Sequence, residues 1–127
     1  VFGGCRSATR IVFPKYLTYL PGSGVSFCNY MVEFVFPENV KSISNYFFYG
    51  CISLKEIVIP DTVTTIDFRA FWDCTSLTRI TIPASVTKID STAFDGCKKD
   101  KLVWVVTPGS YAETYAKKNY YHYVYAK

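Results

Sequence analysis

Apolar residues recur along this chain at a fixed step of 23 positions. The segment Ile57-x-Ile59-Pro60 returns 23 residues later as Ile80-x-Ile82-Pro83. The cysteines follow the same step, at positions 5, 28, 51, 74 and 97. A fixed period of 20 to 50 residues is typical of chains whose units stack into a solenoid. The pattern therefore predicts one domain over residues 1–127, with about 4.5 repeats over residues 1–108.

Each repeat contains one short strand. Leu77-x-x-Ile80-x-Ile82 follows the leucine-rich spacing that supplies one strand per repeat. Because side chains alternate along a strand, Ile80 and Ile82 are predicted to face the core and their neighbours to face outward. Pro83 ends the strand, since proline has no N–H for the ladder.

Two further apolar segments complete the repeat. Val63 and Ile66 are expected on a return leg, and Ala70, Phe71 and Cys74 on a short helical turn. The return-leg positions stay apolar when they are followed through the repeats at the step of 23, and the position of Phe71 forms a phenylalanine-rich column: Phe2, Val25, Phe48, Phe71 and Phe94. One unit cannot bury its apolar side alone, whereas stacked units form a continuous core.

The chain changes pattern after Cys97, where two extra residues precede a last strand, Leu102 to Thr107. Ser110 and Glu113 have the spacing of a capping box, which predicts a helix that begins at Tyr111. An extended segment over Tyr120 to Tyr125 follows. Residues 109–127 are therefore predicted to form a C-terminal cap over the end of the core.

This lattice resembles the BspA-like leucine-rich-repeat family. The resemblance rests on Ile57-x-Ile59-Pro60-x-x-Val63-x-x-Ile66-x-x-x-Ala70-Phe71-x-x-Cys74-x-x-Leu77 and its repetition. It implies a right-handed α/β-type coil, with a parallel β-sheet on the concave side, short helical turns on the convex side and a C-terminal helix cap. It also implies a cell-surface or extracellular location and a binding module for adhesion to host or matrix proteins or glycans. A passive spacer and an accessory domain of a secreted enzyme are the alternatives.

The net charge of +4 does not indicate a nucleic-acid partner. Residues 1–96 carry eight basic and eight acidic side chains, and residues 97–127 carry six lysines against Asp100 and Glu113. The excess therefore belongs to a solvated cap. No apolar run approaches 18 residues, so no membrane span is expected. The chain begins inside a repeat, which indicates a piece of a longer protein, and the strand edge near Thr9 to Phe13 is expected to favour self-association.

The cysteines are predicted to be buried free thiols. Equivalent residues of neighbouring turns lie about 5 Å apart, but their side chains are parallel, which disfavours a disulfide. A metal site is disfavoured as well, because the sequence has no Cys-x-x-Cys and one histidine, His122.

Catalytic residues are not predicted, and no cofactor is expected. Glu33 and Glu56, like Asp67 and Asp90, are one repeat apart and therefore about 5 Å apart, near the separation in retaining glycosidases. Any solenoid that repeats an acid produces that distance, and these residues lie on open faces. A cation held between Glu33 and Glu56 is an alternative with less support.

The outward positions of the strands form the candidate ligand-binding face. They make one charged column and one valine-rich column: Arg10, Glu33, Glu56, Arg79, and Val12, Val35, Val58, Thr81. Opposite charges are expected to pair across strands. An apolar stripe with a charged rim is typical of a recognition surface, although β-branched residues also favour strands for structural reasons.

Trp104 belongs to this face in one of two possible registers. If Thr107-Pro108 matches Ile82-Pro83, Trp104 lies beside Arg79 as an outward aromatic anchor, Val105 faces inward and Val106 extends the valine column. If alternation from Leu102 decides, Trp104 points inward and closes the core. The proline stop favours the outward register.

Overall fold

The computed structural model describes residues 7–127 and contains a parallel-strand solenoid of about five turns. The expected self-association through the strand edge near Thr9 to Phe13 stays a prediction, and Val1 and Phe2 lie outside the described residues. Within them, one strand per turn lies on the concave side, and each return leg lies opposite it. The strand and helix bounds are β1 Arg10–Val12, β2 Glu33–Val35, β3 Ser42–Ile43, β4 Glu56–Val58, β5 Thr65–Ile66, β6 Arg79–Ile82, β7 Lys88–Ile89, β8 Val103–Val106, α1 Tyr111–Lys118 and β9 His122–Tyr125.

The strands pair in parallel with the register that the 23-residue step requires. Ile57 lies opposite Ile80 in β4 and β6, and Ile43 lies opposite Ile66 in β3 and β5. The return legs form a three-stranded sheet in the order β3-β5-β7. The segments predicted as helical turns are hydrogen-bonded turns, and α1 is the one α-helix over residues 7–127.

A column of stacked phenylalanine rings runs through the core. The rings of Phe48 and Phe71 are 4.9 Å apart with an interplanar angle of 12°, and those of Phe71 and Phe94 are 5.0 Å apart at 5°. Phe48 and Phe71 are completely buried. The column predicted from the repeat is therefore confirmed as a continuous aromatic stack.

The C-terminal cap has the predicted order of strand, helix and extended segment. The Ser110 hydroxyl accepts a hydrogen bond from the Glu113 N–H at 3.2 Å, and the Glu113 carboxylate accepts one from the Gly109 N–H at 2.8 Å. These bonds satisfy donors at the helix start. Ala112 and Ala116 are buried, and β9 then pairs in parallel with β8 at the end of the sheet.

The favoured outward register of Trp104 is wrong. Trp104 lies opposite Ile80 in the ladder, has no exposed surface and packs against rings of the cap. Its ring centroid is 5.0 Å from Phe94, 5.5 Å from Tyr115 and 4.9 Å from Tyr121. A large aromatic side chain is needed where the core ends, and that burial outweighs the match to the proline stop.

The inward register of Trp104 also reverses the predicted orientations of Val105 and Val106. Val106 lies opposite Ile82 and faces the core, so it does not extend the valine column. Val105 lies opposite Thr81 and takes that outward position instead, but it is 6% exposed. Val124 of β9 follows Val105 in the same column and is 45% exposed, so an exposed apolar side chain recurs in this column at the cap.

The cysteines from Cys28 to Cys97 are free thiols, as predicted, and Cys5 lies outside the described residues. The Cys51 and Cys74 thiols donate to the Val25 and Phe48 carbonyl oxygens, at 3.2 and 3.0 Å. Burial raises the pKa of Cys51 and of Cys97 to about 12. Burial likewise raises the pKa of Cys74 well above its ordinary value.

We expect a thiol reagent at pH 8 to leave these cysteines unmodified in the native protein and to modify all five cysteines in denaturant without reductant. The reason is that the reactive species is the thiolate: Cys28, Cys51 and Cys74 are buried, and the raised pKa values keep Cys51, Cys74 and the half-buried Cys97 protonated. Since native pKa values lie above unfolded ones, stability is full below about pH 9 and falls as the pH rises toward 12. Peptide mass mapping after timed labelling checks the expectation, and a disulfide in the native protein would contradict it.

Candidate functional site

The outward strand positions lie on one face, as the sequence predicts. Val12 is 50% exposed and Val58 is 66% exposed, whereas Val35 and Thr81 are half-buried. We call the surface formed by these four residues with Arg10, Glu33, Glu56 and Arg79 the concave face. Trp104 is removed from it by the register described above. The concave face combines exposed apolar side chains with charges on the neighbouring column.

The charged column contains one formed ion pair. Arg10 Nε lies 3.3 Å from Glu33 Oε1, and both side chains are more than half exposed. Such exposed pairs contribute about 0–1 kcal/mol, so this pair orients charge rather than stabilising the fold. Glu56 and Arg79 are opposite each other in the ladder, but over residues 7–127 no cation lies within 4 Å of the Glu56 carboxylate.

The concave sheet is not continuous. β1 pairs with β2, and β4 begins a separate sheet in the order β4-β6-β8-β9. In other turns, residues just before and just after the paired strands are also hydrogen-bonded to the neighbouring turn. Examples between β4 and β6 are Thr78 N–H to Lys55 O at 2.8 Å and Ile59 N–H to Thr81 O at 2.9 Å. In the described chain the equivalent bonds between β2 and β4, from Lys55 N–H to Val32 O and from Phe36 N–H to Val58 O, are not formed. The single sheet predicted for this side is therefore interrupted after its second strand.

A cleft opens at this interruption. It has a volume of about 380 Å³ and is lined by Val32, Glu33, Phe34, Glu56, Ile57 and Val58. The turn side of the same two repeats stays bonded, for example through Phe48 N–H to Ala70 O at 2.7 Å. The two repeats thus separate at the concave face alone, as a wedge.

Enlarged side chains in the second full turn explain the wedge. Phe34 and Phe36 stand where the next turn has Ile57 and Ile59, and Phe47 stands where later turns have alanine. The rings of Phe34 and Phe47 are 5.4 Å apart, and those of Phe34 and Phe36 are 4.8 Å apart. Added volume in a packed core forces the backbone to shift.

Gly24 accommodates part of this extra volume. A Cβ atom at Gly24 would lie 2.2 Å from the Phe47 ring, closer than any real contact. The glycine therefore admits Phe47 on the turn side, where the ladder is intact. On the strand side no equivalent reduction accompanies Phe34 and Phe36, and the strands separate there.

A second aromatic group lies on the outside of the turn segments. Tyr49 stacks on Trp72 at 4.6 Å and 14°, and Phe27 lies 4.4 Å from Tyr49. The Arg69 guanidinium lies 4.1 Å from the Trp72 ring centroid. Tyr49 and Trp72 are 23 residues apart and so hold the same position in neighbouring repeats, from which their shared outward column follows. The part of Arg69 was not predicted, although its position three residues before Trp72 is the signal for such a contact. The ring faces of Tyr49 and Trp72 are occupied by one another and by Arg69.

The candidate catalytic groups do not assemble into a reaction centre. His122 is exposed on β9. The Asp90 carboxylate accepts hydrogen bonds from the Thr92 hydroxyl at 2.6 Å and the Thr92 N–H at 2.8 Å, and these bonds lower its pKa. Burial is the main cause that raises the pKa of Asp67. The Asp90 bonds hold the turn that follows β7, which is a structural task.

A cavity of about 340 Å³ lies beside α1 and is lined by Ser91, Tyr111, Thr114, Tyr115, Lys118 and Asn119. The Tyr115 hydroxyl donates to the Asp90 carbonyl at 3.1 Å, and burial raises its pKa to about 12. The Tyr111 hydroxyl accepts from the Ile89 N–H at 3.2 Å. These bonds tie the helix to the last return leg, so the cavity belongs to the cap.

No cluster of three or more potential metal ligands occurs between residues 7 and 127. None of the helices in that range has the length and apolar character to cross a membrane.

Comparison with known proteins establishes the family. The family model described as the BspA type leucine rich repeat region matches residues 1–104 in six copies. This chain belongs to that family, as its motifs predict. No curated protein sequence matches it at a significant level.

Solved structures share the fold. A leucine-rich cell surface protein from Faecalibacterium prausnitzii A2-165 has a TM-score of 0.81 and 32% identity over 91% of this chain and 30% of its own. A leucine-rich repeat protein from Bacteroides ovatus ATCC 8483 has a TM-score of 0.66 and 28% identity, over 83% and 27% of the two chains. The pneumococcal vaccine antigen PcpA is 18% identical and shows the fold alone. Its TM-score is 0.60, over 94% of this chain and 42% of its own. This chain thus spans less than a third of the first two structures.

Proposed function

We propose that this chain is a cell-surface or secreted binding module that engages protein or glycan ligands through its concave face. The observation that carries the proposal is the juxtaposition of exposed Val12 and Val58 with the charged column of Arg10, Glu33, Glu56 and Arg79. Apolar area surrounded by polar groups is what binding surfaces need, because the apolar part supplies affinity and the charges supply orientation. The location is supported by a cell surface protein among the similar structures.

The fold supports this function by holding the face rigid. The outward side chains are fixed by ladder pairing on both sides of the interruption and by the continuous core beneath them. A preorganised surface loses little conformational entropy when a ligand binds. A passive spacer would have no need for exposed valines, and the test below separates the two functions.

We expect the chain to bind at least one member of a panel of purified extracellular-matrix proteins and glycans. The Val12→Lys/Thr81→Lys variant should bind that ligand at least ~10-fold more weakly, since each lysine buried at the interface costs more than ~1 kcal/mol. Both positions lie outside the cleft. Surface plasmon resonance with the immobilised chain gives the affinities.

The matched control is Thr18→Lys/Thr87→Lys, which adds the same two charges at exposed positions away from the concave face. It should bind like the unaltered chain. Equal binding by both variants would exclude the concave face, and no binding across the panel would favour the spacer.

A further inference from the structure

The interruption between β2 and β4 exposes backbone groups that a continuous sheet would satisfy. The Val32 and Val58 carbonyl oxygens lack the donors that equivalent carbonyls have in the other turns, and the Phe36 and Lys55 N–H groups lack acceptors. Val32 and Val58 line the cleft themselves. Free carbonyl oxygens at a strand edge can accept hydrogen bonds from a partner.

The charge at the opening is negative. Glu33 and Glu56 stand on opposite sides of the cleft, one on each strand. Arg10 offsets Glu33, but in the described part of the chain no cation lies within 4 Å of Glu56. Carboxylates and free carbonyl oxygens are all acceptors, so the opening suits a side chain that carries only donors.

The apolar lining defines the rest of the ligand. Val32 is 52% exposed and Val58 is 66% exposed, one on each side of the two carboxylates. An extended segment with apolar residues two positions before and after a basic residue would place the cation between the carboxylates and the apolar side chains on the valines, since every second side chain of an extended segment points to the same face.

We propose that the cleft between β2 and β4 binds an extended basic segment of a partner protein, with a lysine or arginine between Glu33 and Glu56. This inference rests on the proposed function and names the partner chemistry of part of the same face. The aromatic residues of the second turn, Phe34, Phe36 and Phe47, create the site by holding the two strands apart.

The probe is the peptide Val-Ser-Lys-Ser-Val, acetylated, amidated and fluorescently labelled, with Val-Ser-Glu-Ser-Val as its control. Fluorescence anisotropy should show binding of the lysine peptide, weakened by salt, and none of the glutamate peptide. Glu33→Gln/Glu56→Gln should weaken the binding at least ~10-fold. Glu38→Gln/Asp61→Asn removes two exposed carboxylates, also one repeat apart but outside the cleft, and should leave the affinity unchanged.

A second variant tests the wedge. Phe36→Ile/Phe47→Ala introduces the residues of the next turn at two of the three enlarged positions and keeps Phe34, which lines the cleft, so the cleft should narrow and binding of the lysine peptide should weaken. If this variant does not fold, the comparison of the two carboxylate variants decides alone. No binding of the lysine peptide, or an equal loss in both carboxylate variants, would overturn the inference.

Failure of this inference is distinguishable from failure of the proposed function. A matrix ligand that responds to Val12→Lys/Thr81→Lys but ignores Glu33→Gln/Glu56→Gln would retain the concave face and reject the cleft. Peptide binding that depends on Glu33 and Glu56, without any ligand in the panel, would support the cleft and reject the broader proposal.

Discussion

Replacing Trp104 with alanine should destabilise the protein by about 3–5 kcal/mol, because the indole closes the end of the core. Trp104 is completely buried where the repeats end and contacts Phe94, Tyr115 and Tyr121. Its removal would leave a cavity between the last repeat and the cap that neither side can fill. Urea unfolding followed by circular dichroism gives the change in free energy.

Trp72→Ala is the matched control, because Trp72 is the one other tryptophan and lies on the surface of a turn. It should cost less than half as much, since Trp72 is half-buried and its removal loses surface contacts with Tyr46, Tyr49 and Arg69 rather than core packing. A Trp104→Ala variant whose stability stays within 1 kcal/mol of the unaltered chain would place the indole outside the core.

Replacing Phe71 with alanine should also cost about 3–5 kcal/mol. Its ring is stacked between Phe48 and Phe94 at 4.9 and 5.0 Å, so both neighbours lose a contact face. Since each repeat is stabilised by its neighbours, the loss in one turn should lower the cooperativity of unfolding as well. The same urea titration reports both the midpoint and the slope.

Val58→Ala provides the comparison for Phe71→Ala, because Val58 is 66% exposed and its replacement should change stability by less than about 0.5 kcal/mol. A loss below 1 kcal/mol for Phe71→Ala would be incompatible with a continuous aromatic stack.

The repeat period makes most of this fold predictable. Once the step of 23 is recognised, Ile57, Ile80 and the phenylalanine column have fixed places, because every turn repeats the same register. The outward positions of Val12 and Val58 follow from the alternation of side chains along a strand. The free thiols follow from the parallel direction of equivalent side chains.

The favoured register of Trp104 and the single concave sheet both fail where one turn departs from the pattern. At Trp104 two rules conflict, the proline stop and the need to cover the core, and the size of the indole decides between them. At the concave sheet the pattern of apolar positions is unbroken through Phe34, Phe36 and Phe47, so it conceals the change in volume. The sequence did carry a signal of the added volume, because position 47 is phenylalanine where the equivalent positions 24, 70 and 93 are glycine and alanine. Whether the strands or the turns of the two repeats separate depends on how these rings pack.

Amide hydrogen exchange of the unliganded chain, measured by NMR, tests the interrupted concave sheet most directly, because it requires no ligand. The Lys55 and Phe36 amides should exchange with protection at least ~10-fold lower than the Thr78 and Ile59 amides, which occupy equivalent positions in the next turn and donate to Lys55 O and Thr81 O. Equal protection of the two pairs would mean that β2 and β4 form a continuous ladder, that the cleft is closed and that the binding site inferred from it does not exist.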